Sequence, residues 1–285
     1  MGRAVVIETR GLLKRYGRIT AVAGVDLKVY EGEIFGFLGP NGAGKTTTCR
    51  ILTTLTRPTA GRAFVSGCDV VRDPVGAKRG MGLVSQHLNV EPELSVEQNL
   101  VLQGLLQGMD RRVLTQRIGE VLEFSGLEGR RKELAGRLSG GLKRRLMIAR
   151  ALLHMPKVVF MDEPTVGLDA HARRRTWELI RQARAGGVSV FLTTHYIEEA
   201  EQLCDRVGVI HEGRLIALDT PHGLLARVGE VVVAPAKGGQ SLFFPDRQSA
   251  ARYVAQRQED LVVRRSNLED VFIALTGKSV QGGQR

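Results

Sequence analysis

Short apolar runs alternate along the chain with longer stretches in which apolar residues recur at helical spacing. One apolar run covers residues 34–38, a second covers residues 158–161 and a third covers residues 188–192. Runs of this length, bounded by glycine or polar residues, are typical of buried strands. A stretch of helical periodicity, with Trp177 and Ile180 on its apolar face, lies between the second and third runs. This alternation predicts an α/β fold.

The pattern changes twice along the chain, and each change indicates a structural boundary. From about residue 91 to residue 138, β-branched clusters are rare and leucine recurs at helical spacing, which predicts an inserted helical region. Beyond about residue 227, short strand and helix patterns alternate again. We therefore expect a main domain over residues 1–226, with a helical subdomain at about 88–155, and a small α+β C-terminal accessory domain with a polar tail over residues 227–285.

The composition is that of a soluble globular protein. Of the 285 residues, 43% are hydrophobic and 25% are charged, and both values are ordinary for a folded domain. No window approaches the roughly 18 consecutive apolar residues of a membrane-spanning helix, so we expect none. The three cysteines stand outside C-x-x-C spacing, which disfavours a zinc site or a disulfide framework and fits a reducing cytosol.

The charge balance is basic, with 41 lysines and arginines against 30 acidic residues and a formal net charge of +11. Such a balance can indicate nucleic acid or an anionic membrane surface as a partner, or only a solvated basic face. The basic residues form short clusters without interleaved aromatic residues. This arrangement disfavours nucleic acid as a partner.

A glycine-rich segment, GPNGAGKT, directly follows the first apolar run and leads into a helical stretch. It fits the pattern G-x-x-x-x-G-K-[ST], in which backbone N–H groups and a helix N-terminus form a nest for phosphate groups. Lys45 can reach the β- and γ-phosphates of a nucleotide, and the Thr46 hydroxyl is placed to ligate Mg²⁺. The residues expected to bind the nucleotide here are Gly39, Pro40, Asn41, Gly42, Ala43, Gly44, Lys45, Thr46 and Thr47.

The second apolar run ends in two acidic residues, Asp162 and Glu163. A strand that ends in a carboxylate beside a phosphate loop can place Asp162 where it holds Mg²⁺ through water. Glu163 follows directly and can polarise an attacking water as a general base. An apolar run ending in Asp-Glu is common in proteins, and it gains its meaning here from the phosphate loop that precedes it. The two segments together predict a site that binds and hydrolyses a nucleotide, with Mg²⁺ as the cofactor.

The segment LSGG at residues 138–141 resembles the signature motif of ATP-binding cassette (ABC) ATPases, and Ser139 stands 23 residues before Asp162. Four further residues match family motifs in the correct order: the adenine-stacking aromatic Tyr16, the Q-loop glutamine Gln86, the D-loop aspartate Asp169 and the switch histidine His195. The resemblance covers about residues 5–222. It implies the P-loop NTPase fold of an ABC cassette, with a mixed sheet core and an inserted helical subdomain.

The resemblance also implies how the site works. Two cassettes of this family pair head to tail, so Ser139, Gly140 and Gly141 of one chain would close on the γ-phosphate that is bound to the other chain. Gln86 would sense Mg²⁺ and the attacking water, and His195 would contact the γ-phosphate. The resemblance thus implies a catalytic set of Glu163, His195 and Gln86, and a metal-binding set of Thr46, Gln86 and Asp162.

Three segments resemble one subgroup of these ATPases, the daunorubicin-resistance-type and nodulation lipo-oligosaccharide-type exporters. They are SGGLKRRL at residues 139–146, THYIEEA at 194–200 and NLEDVF at 267–272. The first contains one departure from the wider family, because Leu142 stands where a glutamine usually follows the signature glycines. The phosphate-contacting serine and glycines are intact, so we expect activity to survive.

The resemblance implies an ATPase that dimerises on ATP and drives a separate transmembrane permease subunit of an exporter for a drug-like, lipid or glycolipid substrate. It would lie in the cytoplasm, peripheral on the inner face of the cell membrane. A soluble ABC ATPase that acts on nucleic acid or the ribosome is the alternative, but that class usually carries two cassettes or long coiled coils. An importer ATPase is a second alternative, which the NLEDVF segment disfavours.

Overall fold

The computed structural model describes residues 3–236, 241–257 and 259–277. Its strands are β1 (Val5–Tyr16), β2 (Ile19–Tyr30), β3 (Ile34–Leu38), β4 (Ala60–Val65), β5 (Cys68–Asp69), β6 (Met81–Val84), β7 (Val158–Asp162), β8 (Ser189–Thr194), β9 (Arg206–His211), β10 (Arg214–Asp219), β11 (Val231–Pro235), β12 (Leu242–Phe244) and β13 (Leu261–Arg265). Its helices are α1 (Lys45–Leu52), α2 (Pro74–Arg79), α3 (Val96–Leu106), α4 (Arg111–Ser125), α5 (Gly140–Leu152), α6 (Ala170–Ala185), α7 (Ile197–Leu203), α8 (Pro221–Leu225), α9 (Arg247–Ala255) and α10 (Leu268–Thr276). The polar tail expected beyond Gly277 lies outside the described residues.

Six strands form the central sheet, in the order β10-β9-β3-β8-β7-β6. Its neighbouring strands are parallel, except for the antiparallel hairpin of β9 and β10. Strands β3, β7 and β8 are buried along their full length, as expected for parallel strands covered on both faces. Their carboxyl ends meet at one edge, since Leu38 pairs with Thr194 and Asp162 pairs with Thr193. The α/β class and the mixed sheet are therefore confirmed.

A second sheet is antiparallel and has the strand order β2-β1-β4-β5. Its two longest strands, β1 and β2, lie before residue 34, where we predicted no strands. The signal for β2 is the period-two pattern of Val25, Leu27 and Val29, which are buried while the residues between them are exposed. The hairpin covers one end of α1 and brings Ala21 close to the glycine-rich segment.

Helices α3, α4 and α5 pack together around their own apolar cluster, which includes Leu100, Ile118 and Leu146. Helix α3 begins at a capping box, in which Ser95 and Gln98 each accept the other's backbone N–H. Helices α3 and α4 lie in the stretch where leucine spacing predicts helices. The apolar face is narrower than that spacing suggests, because Leu105 and Leu106 are exposed.

The C-terminal segment contains a three-stranded antiparallel sheet, β12-β11-β13, with α9 on one face. Helix α10 follows this sheet but packs elsewhere. Its Leu268, Val271 and Phe272 join the same apolar cluster as Leu203 and Val209 of the main fold. The division into two domains at residue 226 therefore remains a prediction, while α10 shares the core of the preceding region. Across the ranges described, none of the helices combines the length and hydropathy that crossing a bilayer needs.

Candidate active site

The glycine-rich loop connects the end of β3 to the start of α1 and folds back over the helix N-terminus. Gly42 and Gly44 have positive φ values of 80° and 106°, which only glycine adopts without strain. A side chain at Gly44 would also collide with the backbone carbonyl of Ala21. The Lys45 side chain is 4% exposed, and its Nζ donates to the carbonyls of Gly39 at 2.8 Å and Pro40 at 3.1 Å. The loop therefore presents N–H groups and an ammonium around one small space.

Two hydroxyl groups hold Asp162 at the carboxyl end of β7. Thr46 Oγ1 donates to Asp162 Oδ1 at 3.2 Å, and Thr193 Oγ1 donates to the same oxygen at 2.5 Å. Thr46 is the second residue of α1, and Thr193 lies on β8, between β3 and β7 in the sheet. Asp162 and the helix N-terminus are thus linked directly, as the motif pair predicts.

Glu163 follows Asp162 in a strained backbone conformation. Its φ is +50°, in the left-handed region that non-glycine residues rarely adopt. The backbone is held there because the Glu163 N–H donates to both the carbonyl and the hydroxyl oxygen of Thr193, each at 3.1 Å. Strain of this kind persists where the surroundings fix it, and it is concentrated at functional sites.

The Glu163 carboxylate lies between two cationic or protonatable side chains. Its Oε1 is 3.3 Å from Lys45 Nζ, and its Oε2 is 3.1 Å from His195 Nδ1. Burial by itself raises the pKa of Glu163, but His195 and Lys45 outweigh this effect and hold the pKa below its ordinary value. Burial lowers the pKa of Lys45, and Glu163 and Asp162 partly offset that shift. Glu163 is therefore ionised at neutral pH and can accept a proton.

These groups line one open cavity of about 530 Å³. Its lining residues come from β2, the glycine-rich loop and the start of α1, the segment after β6, the segment after β7 and the residue after β8. They are Ala21, Asn41, Gly42, Gly44, Lys45, Thr46, Thr47, Gln86, Glu163, Val166 and His195. The structure thus brings together the predicted Gln86, Glu163 and His195, which are far apart in the sequence.

Other predicted residues lie outside the lining of this cavity. Tyr16 is 46% exposed at the end of β1, with Lys14 Nζ 4.8 Å from its ring centroid. Ser139 caps α5 by accepting the Leu142 N–H at 3.4 Å. Asp169 caps α6 by accepting the Ala172 N–H at 2.8 Å, and this bond lowers its pKa. Gly140 and Gly141 form the first turn of α5. The remaining predicted residues, Gly39, Pro40, Ala43 and Asp162, do not line the cavity either. The carbonyls of Gly39 and Pro40 accept from Lys45, and Asp162 accepts from Thr46.

The sequence analysis assigns no role to three residues that support the site, although Arg144 and Glu199 stand within its segments SGGLKRRL and THYIEEA. Thr193 positions both Asp162 and Glu163, as described above. Arg144 and Glu199 are fully buried charged side chains next to the site-bearing segments. The only signal for Thr193 is its place at the carboxyl end of a buried strand, two residues before His195. The chemistry of Arg144 and Glu199 depends on contacts with distant segments, so local patterns do not reveal it.

The loop is a nest for phosphate groups, and a carboxylate of lowered pKa stands beside it with a histidine. Together with the mixed parallel sheet, these features define a P-loop nucleoside-triphosphate hydrolase. Comparison with known families narrows this class, because the family model described as ABC transporter matches residues 22–166. The chain belongs to the ATP-binding cassette family of ABC transporters and is an ATPase.

Individual relatives agree with this assignment. The chain is 39% identical over 298 aligned residues to Nod factor export ATP-binding protein I of Rhizobium etli, covering 96% of this chain and 94% of that protein. It is 40% identical to daunorubicin resistance ATP-binding protein DrrA3 of Streptomyces coeruleorubidus, covering 95% and 96% of the two chains. Both relatives span almost the whole chain, including the C-terminal segment.

Solved structures agree as well. One, described as the ATP binding subunit of an ABC transporter, has a TM-score of 0.73 and 25% identity and covers 95% of this chain and 99% of its own. Another is a dimeric ATP-binding cassette in a post-hydrolysis state bound to ADP and phosphate. It has a TM-score of 0.67 and 26% identity, and it covers 75% of this chain and 98% of its own.

Proposed function

We propose that this protein hydrolyses ATP as the energy-coupling subunit of a membrane exporter. Glu163 is the general base that orients the attacking water, and His195 and Gln86 contact the γ-phosphate side of the nucleotide. The observation that carries this proposal is the Glu163 carboxylate, held within 3.3 Å of Lys45 and 3.1 Å of His195 at the mouth of the phosphate loop. A base in this position meets water next to a bound γ-phosphate.

ATP binds through the loop residues, with Lys45 on the β- and γ-phosphates and Tyr16 stacked on the adenine. Lys45 exchanges its contact with Glu163 for the phosphate oxygens, which frees the carboxylate for the water. The exposed Tyr16 ring at the end of β1 is accessible to a base, which supports its role. The nest of N–H groups and the N-terminus of α1 complement the negative charge of the phosphates.

Mg²⁺ fits the donor set that the residues offer. Thr46 and Asp162 supply hydroxyl and carboxylate oxygen and are already joined at 3.2 Å, and Gln86 supplies an amide oxygen in the same cavity. These are the hard oxygen ligands that Mg²⁺ prefers, in combination with phosphate oxygens and water. When bound, the ion neutralises charge on the phosphates. Thr46, Asp162 and Gln86 are therefore the proposed metal-binding residues.

Two copies of the chain complete the two sites. Ser139, Gly140 and Gly141 lie outside the cavity that contains Lys45, so another chain supplies them to each nucleotide. The free N–H groups at the start of α5 and the Ser139 hydroxyl are suited to bind a γ-phosphate. Asp169 lies at the start of α6, next to the start of α5. The dimeric cassette among the similar structures supports this arrangement.

The partner is a separate transmembrane permease subunit. Binding to this subunit holds the ATPase at the cytoplasmic face of the membrane. The names of the two relatives, Nod factor export and daunorubicin resistance, support export of a drug-like, lipid or glycolipid substrate. Opening of the ATP-closed dimer after hydrolysis passes movement to the permease through the segment that carries Gln86.

Replacing Glu163 by glutamine tests the catalytic assignment. Glu163→Gln should abolish ATP turnover but retain ATP binding, because the amide cannot take a proton while the loop stays intact. ATP should then trap a stable dimer, visible by size-exclusion chromatography. Glu123→Gln, which changes an exposed glutamate on α4, is the matched control and should hydrolyse ATP normally. Hydrolysis by Glu163→Gln at the wild-type rate would show that another group is the base.

A mixing experiment tests the shared sites. Lys45→Ala and Ser139→Arg are each expected to be inactive alone. In a mixed dimer one site inherits both defects, and the other has an intact Lys45 and an intact Ser139. ATP-dependent association should therefore return in the mixture. If both chains fold but their mixture shows no ATP-dependent association, the proposal that each site is built from two chains is wrong.

A further inference from the structure

Arg144 lies in α5, the helix that begins with the two signature glycines. Its side chain is 2% exposed and is the largest fully buried side chain in the described residues. Arginine is almost never buried without a partner group, because its charge loses hydration. Among the residues described, no carboxylate lies within ion-pairing distance of this guanidinium.

The guanidinium binds two successive backbone carbonyls in the segment after β6. Nη1 donates to the Ser85 carbonyl at 2.7 Å, and Nη2 donates to the Gln86 carbonyl at 2.9 Å. These are charge-assisted hydrogen bonds, and the planar fork of arginine fixes the direction of both carbonyls. Gln86 is the residue whose side chain lines the nucleotide cavity.

A second arginine of the same helix holds the same segment further along. Arg150 Nη1 donates to the Asn89 carbonyl at 2.5 Å, and its Nη2 donates to the Gln103 side chain at 3.2 Å. Residues 85–89 are therefore attached to α5 at both ends. Both arginines reach across the boundary between the sheet-containing region and the helices that carry the signature.

The attachment constrains movement. Separating Arg144 from the two carbonyls would leave a buried cation without acceptors, which is costly. Helix α5 is one rigid element, with Ser139 at its N-cap. A displacement of Gln86 towards a bound γ-phosphate is therefore transmitted to Ser139, and a displacement of Ser139 is transmitted back to Gln86.

We infer that Arg144 is a positioning residue that couples the two ATP sites of the dimer. This inference rests on the proposed function, in which Gln86 serves the nucleotide of its own chain and Ser139 serves the nucleotide of the partner. Through Arg144, occupation of one site sets the position of the signature residues that close the other. Loss of the guanidinium should leave each ATP-binding loop intact but make the two sites independent.

The test compares Arg144→Gln and Arg144→Lys with a matched control, Arg117→Gln. Arg117 also donates to two successive carbonyls, those of Leu152 and Leu153 at 3.1 and 3.2 Å. These carbonyls lie at the other end of α5, far along the helix from Ser85 and Gln86. Arg117 lies on α4, so the control removes the same kind of contact to α5, together with an ion pair to Glu120, without freeing the Gln86 segment.

Four quantities are measured for each variant: the melting temperature, the affinity of the monomer for a fluorescent ATP analogue, kcat, and the Hill coefficient for ATP. Arg144→Gln should keep the affinity of the monomer for the ATP analogue within about twofold, and its kcat should fall about tenfold. Its Hill coefficient should fall towards about 1, as expected when the coupling between two sites is lost. Arg144→Lys keeps the positive charge and can still donate to one of the two carbonyls, so it should keep part of the cooperativity that Arg144→Gln loses. Arg117→Gln should keep the wild-type Hill coefficient even if its melting temperature falls.

Two results would overturn the inference. One is a wild-type kcat and Hill coefficient in Arg144→Gln. The other is an equal loss in Arg144→Gln and Arg117→Gln that follows only their melting temperatures. If Arg144→Gln does not fold, Arg144→Lys decides between the same outcomes. Failure of the proposed function looks different, because the wild-type protein itself would then neither hydrolyse ATP nor associate with it.

Discussion

Substitutions of Glu199 can separate two contributions to the stability of the fold: the cost of burying its carboxylate and the gain from its hydrogen bonds. The side chain lies on α7 and is fully buried. Its Oε1 accepts the Thr165 hydroxyl at 2.9 Å and the Trp177 indole N–H at 3.0 Å. Thr165 lies two residues after Glu163, the proposed general base, and Trp177 lies on α6. The carboxylate therefore joins three segments around the site.

Replacing Glu199 by alanine leaves both donors buried and unpaired. Each unpaired donor costs about 1–3 kcal/mol, so the two together cost about 2–6 kcal/mol, and the small cavity left behind adds to this loss of stability. A chain of this size has an unfolding entropy of roughly 0.6 kcal/mol/K, so the melting temperature should fall by roughly 3–10 °C. Replacement by glutamine keeps the acceptor oxygen and removes the charge, so Glu199→Gln should lie within about 1 kcal/mol of the wild type at pH 8.

The pH dependence of stability provides a second, independent test of the role of Glu199. Burial raises the pKa of Glu199 above its ordinary value, and hydrogen bonds from Thr194, Thr165 and Trp177 only partly offset it. The native state therefore holds a proton more tightly than the unfolded chain, whose glutamate titrates near pH 4.3, about the ordinary value. Wild-type stability relative to Glu199→Gln should rise as the pH falls from the raised pKa towards that value, and it should be lowest at alkaline pH.

Differential scanning calorimetry between pH 5 and pH 9, about the range in which the fold is stable, measures these differences. Trp177 is the single tryptophan of the chain, so its fluorescence reports on the same hydrogen bond at native conditions. Its emission should shift in Glu199→Ala and stay close to the wild type in Glu199→Gln. The reasoning fails if alanine and glutamine are equally destabilising, or if the difference between wild type and Glu199→Gln is independent of pH.

Two further predictions concern stability. Phe272→Ala removes a fully buried ring of α10 and should lower the free energy of unfolding in urea by about 3–5 kcal/mol. Ile273→Ala changes an exposed neighbour and should lower it by under about 0.5 kcal/mol. Equal losses in the two variants would contradict the packing of α10. Burial lowers the pKa of His154, partly offset by the Met81 carbonyl, so stability should fall as the pH drops below about 6.5. His154→Gln should remove that part of the slope, and an unchanged slope would contradict it.

The sequence predicts the parts of this fold whose signals are local. The five-residue apolar run at 34–38 is β3, and the stretch of helical periodicity with Trp177 and Ile180 on its apolar face is α6. The phosphate loop is recognisable because its glycines and Lys45 are consecutive. The hairpin of β1 and β2 was missed because its alternation is interrupted by register shifts, which break the period of two.

The support of the site is less predictable because it depends on distant contacts. Thr193 and Asp162 are separated by 31 residues, and Arg144 and Gln86 are separated by 58 residues. Leu105 and Leu106 show the opposite error, since they continue a helical leucine pattern but are exposed at 55% and 73%. Which side of a helix is covered is decided by its neighbours, and a single helix sequence does not specify them.

The position of α10 has a consequence for synthesis. Its apolar residues fill the core beside Leu203 and Val209, so the main fold is not finished when residue 226 leaves the ribosome. At a translation rate of roughly 5–20 residues per second, Phe272 appears several seconds after Leu203. During that interval the apolar residues that α10 covers in the finished fold stay without this cover. Exposed apolar surface of this kind makes an incomplete chain prone to aggregation, so the interval between these residues is the vulnerable part of synthesis.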